Sequence, residues 1–117
     1  MTNHLERKFV QVYVRGEPFI RFEMGLYHAD LLGLILKSEG IEFKTQLNRD
    51  EDDRIPTPKG EDAGNEYELV GAGKFTRVGD KITMFDKSFD YRITPNREHL
   101  ERVKPHLPKD MEFIITN

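Results

Sequence analysis

One histidine and three cations are the side chains of this sequence whose types and positions suggest chemistry. His28 lies in the stretch GLYHADLLGLIL, immediately before leucines at helical spacing. Free N–H groups at a helix N-terminus amount to about half a positive charge, which favours a bound anion and a neutral imidazole. A neutral imidazole, with an ordinary pKa of about 6.5, can take a proton from water or act as a nucleophile. The alternative is an ordinary surface histidine in the first turn of a helix, and the spacing alone does not decide between the two.

The three cations lie in separate predicted strands. Lys8 begins the first strand, Arg21 lies in the second, and Lys74 follows the glycine-containing stretch GAG. A phosphate is bound by such charge-assisted donors, and small residues let backbone N–H groups approach its oxygens. GAGK lacks the spacing of a Walker A loop, which argues against a nucleotide-binding P-loop. The sequence therefore permits a phosphate pocket, while each cation taken alone is also compatible with an ordinary position at the rim of a sheet.

Composition excludes several classes of site. The chain has 117 residues, the size of one domain. It contains no cysteine, which excludes disulfides, thiolate zinc sites and cysteine-nucleophile hydrolases. The net charge of -3 argues against an extended nucleic-acid interface. The histidines share no metal-ligand spacing, so we expect no metal, and we expect no cofactor.

The apolar residues form no stretch with the length of a membrane span. The longest run, residues 31–36, is far shorter than the roughly 20 residues that a transmembrane helix needs. The first residues, MTNHLERKF, lack the apolar segment of a signal peptide. We therefore expect a cytoplasmic protein without a membrane partner, and we expect it to be a monomer.

Two periodicities divide the chain into the elements that must position these side chains. Alternating apolar residues predict strands at 8–14, 19–24, 41–47, 67–70, 73–78, 81–85 and 111–116. Helical spacing predicts a first helix over 27–38 that ends at Gly40, and a second helix that is capped by Thr94 and ends at Pro105. The order contains no regular β-α-β repeat. It predicts an α+β fold, with a mixed sheet of about six strands flanked by two helices.

The acidic segment 48–65 separates the third predicted strand from the fourth. It is interrupted by Pro56, Pro58, Gly60 and Gly64, which predicts a long mobile loop. A loop of this length is unusual in a compact domain, so we interpret it as an insertion or as a functional segment. Residues 1–117 are thus predicted to form a single domain with an acidic loop insertion at 48–65.

Five stretches of the sequence resemble one known family, in the same order along the chain. LYHADLL resembles the Tyr-His-Ala-Asp-aliphatic motif of the Janus/Ocnus family, whose best-known members are small phosphohistidine phosphatases. RKFVQVYV is similar to that family's first strand with its leading lysine, and IRF to the strand that carries an arginine before the motif. ELVGAGK resembles its Glu-x-x-Gly-Gly-Gly-Arg segment, and KSFDY its Tyr-Ser-Met-Ala-Tyr segment. The resemblance covers most of the chain apart from the acidic segment.

The resemblance implies a single phosphohistidine phosphatase-like domain, with a mixed sheet and two flanking helices. It implies a metal-independent hydrolase that acts on a phosphorylated protein or peptide. His28 takes the place of the family's catalytic histidine, which activates water or forms a transient phosphohistidine. The phosphate would be held by the following residues: Lys8, Arg21, Lys74 and Ser88, and the backbone at Ala72 and Gly73.

The sequence departs from the family pattern near this pocket, which keeps a second class of function open. Lys74 stands where the family has arginine, Asp90 stands where it has a small alanine, and Arg21 lies one residue nearer the histidine. A carboxylate at Asp90 repels a phosphoryl group unless it points away. The alternative to an enzyme is therefore a non-catalytic module of the same fold that binds phosphate or a phosphopeptide. A structural scaffold that interacts through the acidic segment is a third possibility.

Overall fold

The computed structural model describes residues 6–48, 53–60 and 66–116. The strands are β1 (Arg7–Val14), β2 (Glu17–Met24), β3 (Thr45–Leu47), β4 (Arg54–Pro56), β5 (Tyr67–Val78), β6 (Lys81–Phe85) and β7 (Glu112–Ile115). The helices are α1 (His28–Ser38) and α2 (Arg97–Val103), and a short 3-10 turn, Lys104–His106, follows α2. None of the helices described is both long and apolar enough to cross a membrane.

Five strands form the main sheet in the order β2-β1-β5-β6-β7, and β3 and β4 form a separate two-stranded sheet. Neighbouring strands are antiparallel except β6 and β7, which are parallel. The predicted α+β fold with a mixed sheet and two helices is confirmed. The strand prediction differs in detail, because residues 67–78 form one continuous strand and only the end of the segment 41–47 is a strand.

The two helices cover opposite faces of the main sheet. On one face, Val10, Val12 and Val14 of β1 pack in a buried cluster with the apolar residues of α1, which are Leu31, Leu32, Ile35 and Leu36. On the other face, Phe9 packs in a second cluster with Leu100 of α2. Successive side chains of a strand point to opposite faces, so the central strand β1 is buried on both. The predicted alternation of β1 is therefore correct, although neither of its faces is turned to solvent.

The ends of α1 follow from local hydrogen bonds. Tyr27 precedes the helix, and its N–H donates to the Asp30 carboxylate over 3.0 Å, as in a capping box. At the other end, Gly40 adopts a positive φ of 72°, which suits glycine, and its N–H donates to the Lys37 carbonyl. The N–H of Ile41 donates to the Leu36 carbonyl, which completes a Schellman motif. The predicted left-handed cap at Gly40 is confirmed.

The start of α2 corrects the predicted cap. The helix begins after Asn96, whose side-chain oxygen accepts from the His99 N–H over 2.8 Å. The carbonyl of Thr94 instead accepts from the N–H of Ala72 over 3.3 Å. Thr94 is thus held beside β5, and the capping role passes to an asparagine, which satisfies a free N–H of the first turn equally well.

The acidic segment is not a continuous loop. Within it, β4 pairs with β3 in register Gln46 to Ile55, and Ile55 is buried. The Tyr91 hydroxyl donates to the Pro56 carbonyl over 2.7 Å, which ties β4 to the loop after β6. Charge and prolines predict a loop here, but Ile55 and Pro56 are both buried. Their burial stabilises an ordered strand in this part of the segment. Residues 49–52 and 61–65 of the predicted insertion lie outside the described residues.

A buried polar network joins β1 to the start of α2. The Gln11 side chain accepts from the Asn96 N–H over 2.8 Å and donates to the Asn96 carbonyl over 2.9 Å. His99 lies within 3.0 Å of the Val12 carbonyl through Nε2, and within 3.3 Å of the Gln11 amide through Nδ1. A carbonyl only accepts, so Nε2 carries the proton and Nδ1 accepts from the amide. Burial lowers the pKa of His99, which holds it neutral.

The lowered pKa values of two buried histidines, His99 and His28, predict a loss of stability in acid. The unfolded chain binds protons to histidine at a pKa of about 6.5, whereas folded His99 and His28 both have a lowered pKa. The unfolded state therefore binds more protons below that pH, and the free energy of unfolding falls as the pH falls, at up to about 1.4 kcal/mol per pH unit for each histidine. Urea denaturation between about pH 7 and pH 5 measures the slope. A pH-independent free energy across this range would contradict the prediction, and His99→Gln is expected to show a shallower slope than wild type.

Candidate functional site

The predicted cations lie on the same face of three neighbouring strands. In the antiparallel register, Lys8 of β1 is opposite Lys74 of β5 and opposite Glu23 of β2. Arg21 is opposite Val10, one row further along the sheet. Residues directly opposite each other point to the same face, and Val10 belongs to the cluster that α1 covers. The sheet thus brings Lys8, Arg21 and Lys74 to the face on which α1 lies.

A β-bulge in β5 puts Lys74 on that face. Gln11 is opposite Gly71 and the next residue, Val12, is opposite Leu69, so Val70 is the extra residue between the two pairs. If Val70 were paired like the other residues of β5, strict alternation from Leu69 would place Lys74 on the face of α2. The bulge reverses the alternation, as bulges do when they re-aim a side chain. It therefore sets Lys74 beside Lys8 rather than behind the sheet.

His28 is the first residue of α1 and is buried, with 3% of its surface exposed. Its Nε2 lies 2.8 Å from the Gly73 carbonyl of β5. The carbonyl only accepts, so Nε2 carries the proton and, in the neutral ring, Nδ1 has the lone pair. The hydrogen bond thereby fixes both the tautomer and the direction of the ring. A base or nucleophile at this site would be Nδ1.

The charge state of His28 is set mainly by its burial. Burial lowers the pKa of the imidazole, and the nearby ammonium of Lys8 lowers it further. The Gly73 hydrogen bond and the carboxylates of Asp90 and Glu6 act in the opposite direction without reversing the result. The ring is therefore neutral at pH 7, as expected for a histidine at a helix N-terminus.

The backbone at residues 72 and 73 is engaged within the protein. The Gly73 carbonyl accepts from His28, and the Ala72 N–H donates to the Thr94 carbonyl. A Cβ on Gly73 would lie 2.4 Å from the carbonyl oxygen of Phe85 and 3.2 Å from the ring of Phe9. The close approach that the GAG stretch indicates is thus an approach between segments of the chain. Whether these backbone groups also hold a ligand stays a prediction.

Ser88 is buried in the loop after β6. Its hydroxyl oxygen accepts from the Tyr91 N–H over 3.2 Å, its N–H donates to the Ile93 carbonyl, and its carbonyl accepts from the Arg92 N–H. These contacts hold the loop that carries Asp90. In the described part of the chain, no hydrogen bond of Ser88 reaches His28 or the three cations. The structure thus places Ser88 in the loop that carries Asp90, and its predicted phosphate contact stays a prediction.

Each of the three cations is paired with a carboxylate. The Nζ of Lys8 lies 3.3 Å from the Glu6 carboxylate, and the Nζ of Lys74 lies 3.4 Å from the same group. Lys74 also lies 3.4 Å from Asp86. The pair formed by Arg21 and Glu23, with Nε and Oε2 3.0 Å apart, completes the set. Sequence reasoning missed Glu6, although a residue two positions before Lys8 in an extended chain points to the same side.

A groove opens beside the N-terminus of α1. It has a volume of about 430 Å³, and Tyr27 and Ala29, the neighbours of His28, form part of its wall. Its carboxylates come from three separate elements: Asp30, Asp53 and Asp90. The exposed ring of Tyr27 lies 4.9 Å from the Nζ of Lys8, in a cation–π contact. Neither His28 nor any of the three cations lines this groove, so the imidazole and the lysines lie beside it and not within it.

Neither metal ligands nor relatives identify this site. Across residues 6–48, 53–60 and 66–116, no three His, Asp or Glu side chains are grouped so that they could hold a metal ion. No protein-family model matches the chain, and no curated protein is significantly similar to it.

Proposed function

We propose that the protein is a metal-independent hydrolase of phosphohistidine, or of another phosphoramidate, in proteins or peptides. The observation that carries the proposal is the Nε2–H of His28 on the Gly73 carbonyl, which leaves Nδ1 as the reactive nitrogen of a neutral ring beside Lys8. The resemblance of LYHADLL, with Lys8, Arg21 and GAGK, to the Janus/Ocnus motifs supports the same assignment. We further propose that it acts as a monomer in the cytoplasm.

The proposed hydrolysis requires a base or nucleophile, and positive charge close to the phosphoryl oxygens. Nδ1 of His28 takes a proton from water and the hydroxide oxygen bonds to phosphorus. The P–N bond breaks as the leaving nitrogen takes a proton from the imidazolium, which restores the neutral ring. In the second route, Nδ1 itself bonds to phosphorus as the substrate P–N bond breaks and the leaving nitrogen takes a proton from solvent. A water oxygen then bonds to phosphorus, the Nδ1–P bond breaks, and phosphate is released. In both, Lys8 and Lys74 neutralise charge on the phosphoryl oxygens of a loose transition state. Arg21, on the next row of the same face, is a further donor to those oxygens.

A specific observation favours a second candidate, a phosphate-binding module without turnover. The cations of the site already have carboxylate partners, and Asp90 lies close enough to His28 to act on its pKa. These carboxylates repel a phosphoryl dianion and raise the barrier to attack on phosphorus. Such a module would recognise a phosphorylated partner through the same residues.

One experiment separates the two functions. The protein is incubated with a phosphohistidine peptide in the presence of a chelator, and phosphate release is compared with the spontaneous rate. In parallel, calorimetry measures the binding of a stable phosphopeptide. Accelerated release establishes the hydrolase, binding without acceleration establishes the module, and the absence of both overturns both proposals.

Removal of the Lys74 charge tests the phosphate pocket in either case. Lys74→Gln is expected to weaken phosphate binding by about 10-fold or more, because a hydrogen bond to a charged group contributes about 1.5–3 kcal/mol. The dissociation constant is measured by calorimetry. Lys104→Gln is the matched control. Lys104 lies directly after α2, away from the site, and its ammonium pairs with Glu101. Equal losses in both variants would show a general charge effect and would contradict the assignment of Lys74.

A further inference from the structure

The carboxylate of Glu6 lies between the two lysines of the proposed phosphate pocket. It is 3.3 Å from the Nζ of Lys8 and 3.4 Å from the Nζ of Lys74. The pKa of Glu6 is lowered, chiefly by its hydrogen bond to Lys8. Burial acts in the opposite direction, and the further interactions with Lys8 and Lys74 add to the lowering. The carboxylate is thus held in its charged form by the side chains that a phosphate would use.

The register of the sheet explains why an anion belongs at this point. Lys8 and Lys74 are directly opposite each other on adjacent antiparallel strands. Like charges in this position repel and destabilise the pairing of the strands. An anion between them removes the repulsion, and Glu6 is the group that provides it here. The carboxylate oxygens therefore take the place that phosphate oxygens would take.

We propose that Glu6 is an intramolecular competitor for the anion site of Lys8 and Lys74, which a phosphate or phosphoryl group must displace in order to bind. The inference rests on the proposed function for the identity of the ligand. It adds a regulatory contact to that site, because Glu6 acts as a weak inhibitor within the same chain. Competition with Glu6 lowers the affinity for small anions. It favours ligands that carry more negative charge than a single carboxylate.

The contacts around Glu6 allow its side chain to leave without disturbing the site. Its side chain is 45% exposed, whereas that of Lys8 is 14% exposed. The Gly25 N–H donates to the Glu6 carbonyl over 3.0 Å, so the backbone stays in place when the side chain rotates. After displacement, Lys74 keeps Asp86 and Lys8 keeps the ring of Tyr27. An ion pair in which the carboxylate is this open to solvent contributes little, which makes the competitor weak enough to be displaced.

Binding of inorganic phosphate tests the inference directly. Glu6→Gln is expected to bind phosphate about fivefold more tightly than wild type, as measured by calorimetry. Glu6→Asp keeps the charge but shortens the reach, and is also expected to bind more tightly. Glu66→Gln is the matched control, because Glu66 has the same 45% exposure, pairs with Arg15, and lies at the opposite end of β1. It changes the net charge equally and is expected to leave the dissociation constant unchanged.

The outcomes separate this inference from the proposed function. Unchanged or weaker binding in Glu6→Gln overturns the inference, as does equal tightening in Glu66→Gln or an absence of phosphate binding in every variant. Tighter binding in Glu6→Gln, with no acceleration of phosphohistidine hydrolysis by either protein, supports the inference while the hydrolase proposal fails. Faster hydrolysis at low substrate concentration in Glu6→Gln supports both.

Discussion

Replacement of His28 by glutamine is expected to lower the rate of phosphohistidine hydrolysis by about 100- to 10,000-fold, the range over which a positioned acid or base contributes. The glutamine amide can still donate to the Gly73 carbonyl, which now accepts from Nε2 of the imidazole over 2.8 Å. It has no equivalent of the free Nδ1 lone pair. The variant thus keeps the buried hydrogen bond and removes only the reactive nitrogen. Phosphate release from a phosphohistidine peptide, corrected for the spontaneous rate, is the measurement.

Two controls test whether a lower rate in His28→Gln is due to the loss of the imidazole. Urea denaturation of His28→Gln shows whether the variant is folded under the conditions of the assay. His106→Gln replaces an exposed histidine in the turn after α2 and is expected to keep the wild-type rate. A rate in His28→Gln within a factor of two or so of wild type would rule out His28 as base or nucleophile. Phosphorus NMR of the wild-type enzyme during turnover then distinguishes the two roles, since only a nucleophile acquires a phosphoryl group.

The pairing of Lys8 with Lys74 shows what the sequence could and could not predict about the site. Alternation places Lys8 and Val10 on one face of β1, and hairpin reasoning brings β2 beside it. The register between β1 and β5 is not visible in the sequence, because it depends on the bulge at Val70. The glycine at 71 is a signal for a bulge, but not for the residue that is extruded. Only with the bulge does Lys74 join Lys8.

The elements that sequence reasoning missed depend on tertiary contacts. Strand β4 is three residues long and is ordered by burial of Ile55 and by the bond from Tyr91 to the Pro56 carbonyl. Asn96 caps α2 because the buried amide of Gln11 binds both the N–H and the carbonyl of Asn96. Periodicity and composition describe a segment and its neighbours in sequence, and these partners lie more than thirty residues away. The strands β1, β2 and β6 and the helix α1, whose patterns are local, agree with the prediction.

Replacement of Gly73 by alanine is expected to lower the free energy of unfolding by about 3 kcal/mol or more, because overpacking at a rigid site costs about 1–3 kcal/mol and backbone contacts lie at the upper end. The new Cβ would lie 2.4 Å from the carbonyl oxygen of Phe85 and 3.2 Å from the ring of Phe9. The first of these is a backbone atom on the paired strand β6, which cannot rotate away. Urea denaturation of the variant measures the loss. A change of less than about 1 kcal/mol would show that β5 and β6 separate more easily than their pairing indicates.

The opposite result is expected at Gly33, which is the matched control for the loss of a glycine. Gly33 lies inside α1, and a Cβ there would make ordinary contacts at 3.9 Å with Pro56 and 4.0 Å with Phe43. Alanine in a helix interior is favoured over glycine by about 0.5–1 kcal/mol, so Gly33→Ala is expected to raise the free energy of unfolding by about that amount.

Because Gly73 also carries the carbonyl that orients His28, Gly73→Ala should lower the rate of phosphohistidine hydrolysis even where the protein remains folded. Gly33→Ala should leave the rate unchanged, and a fall in its rate would mean that the packing of α1, rather than the Gly73 carbonyl, determines the position of the imidazole.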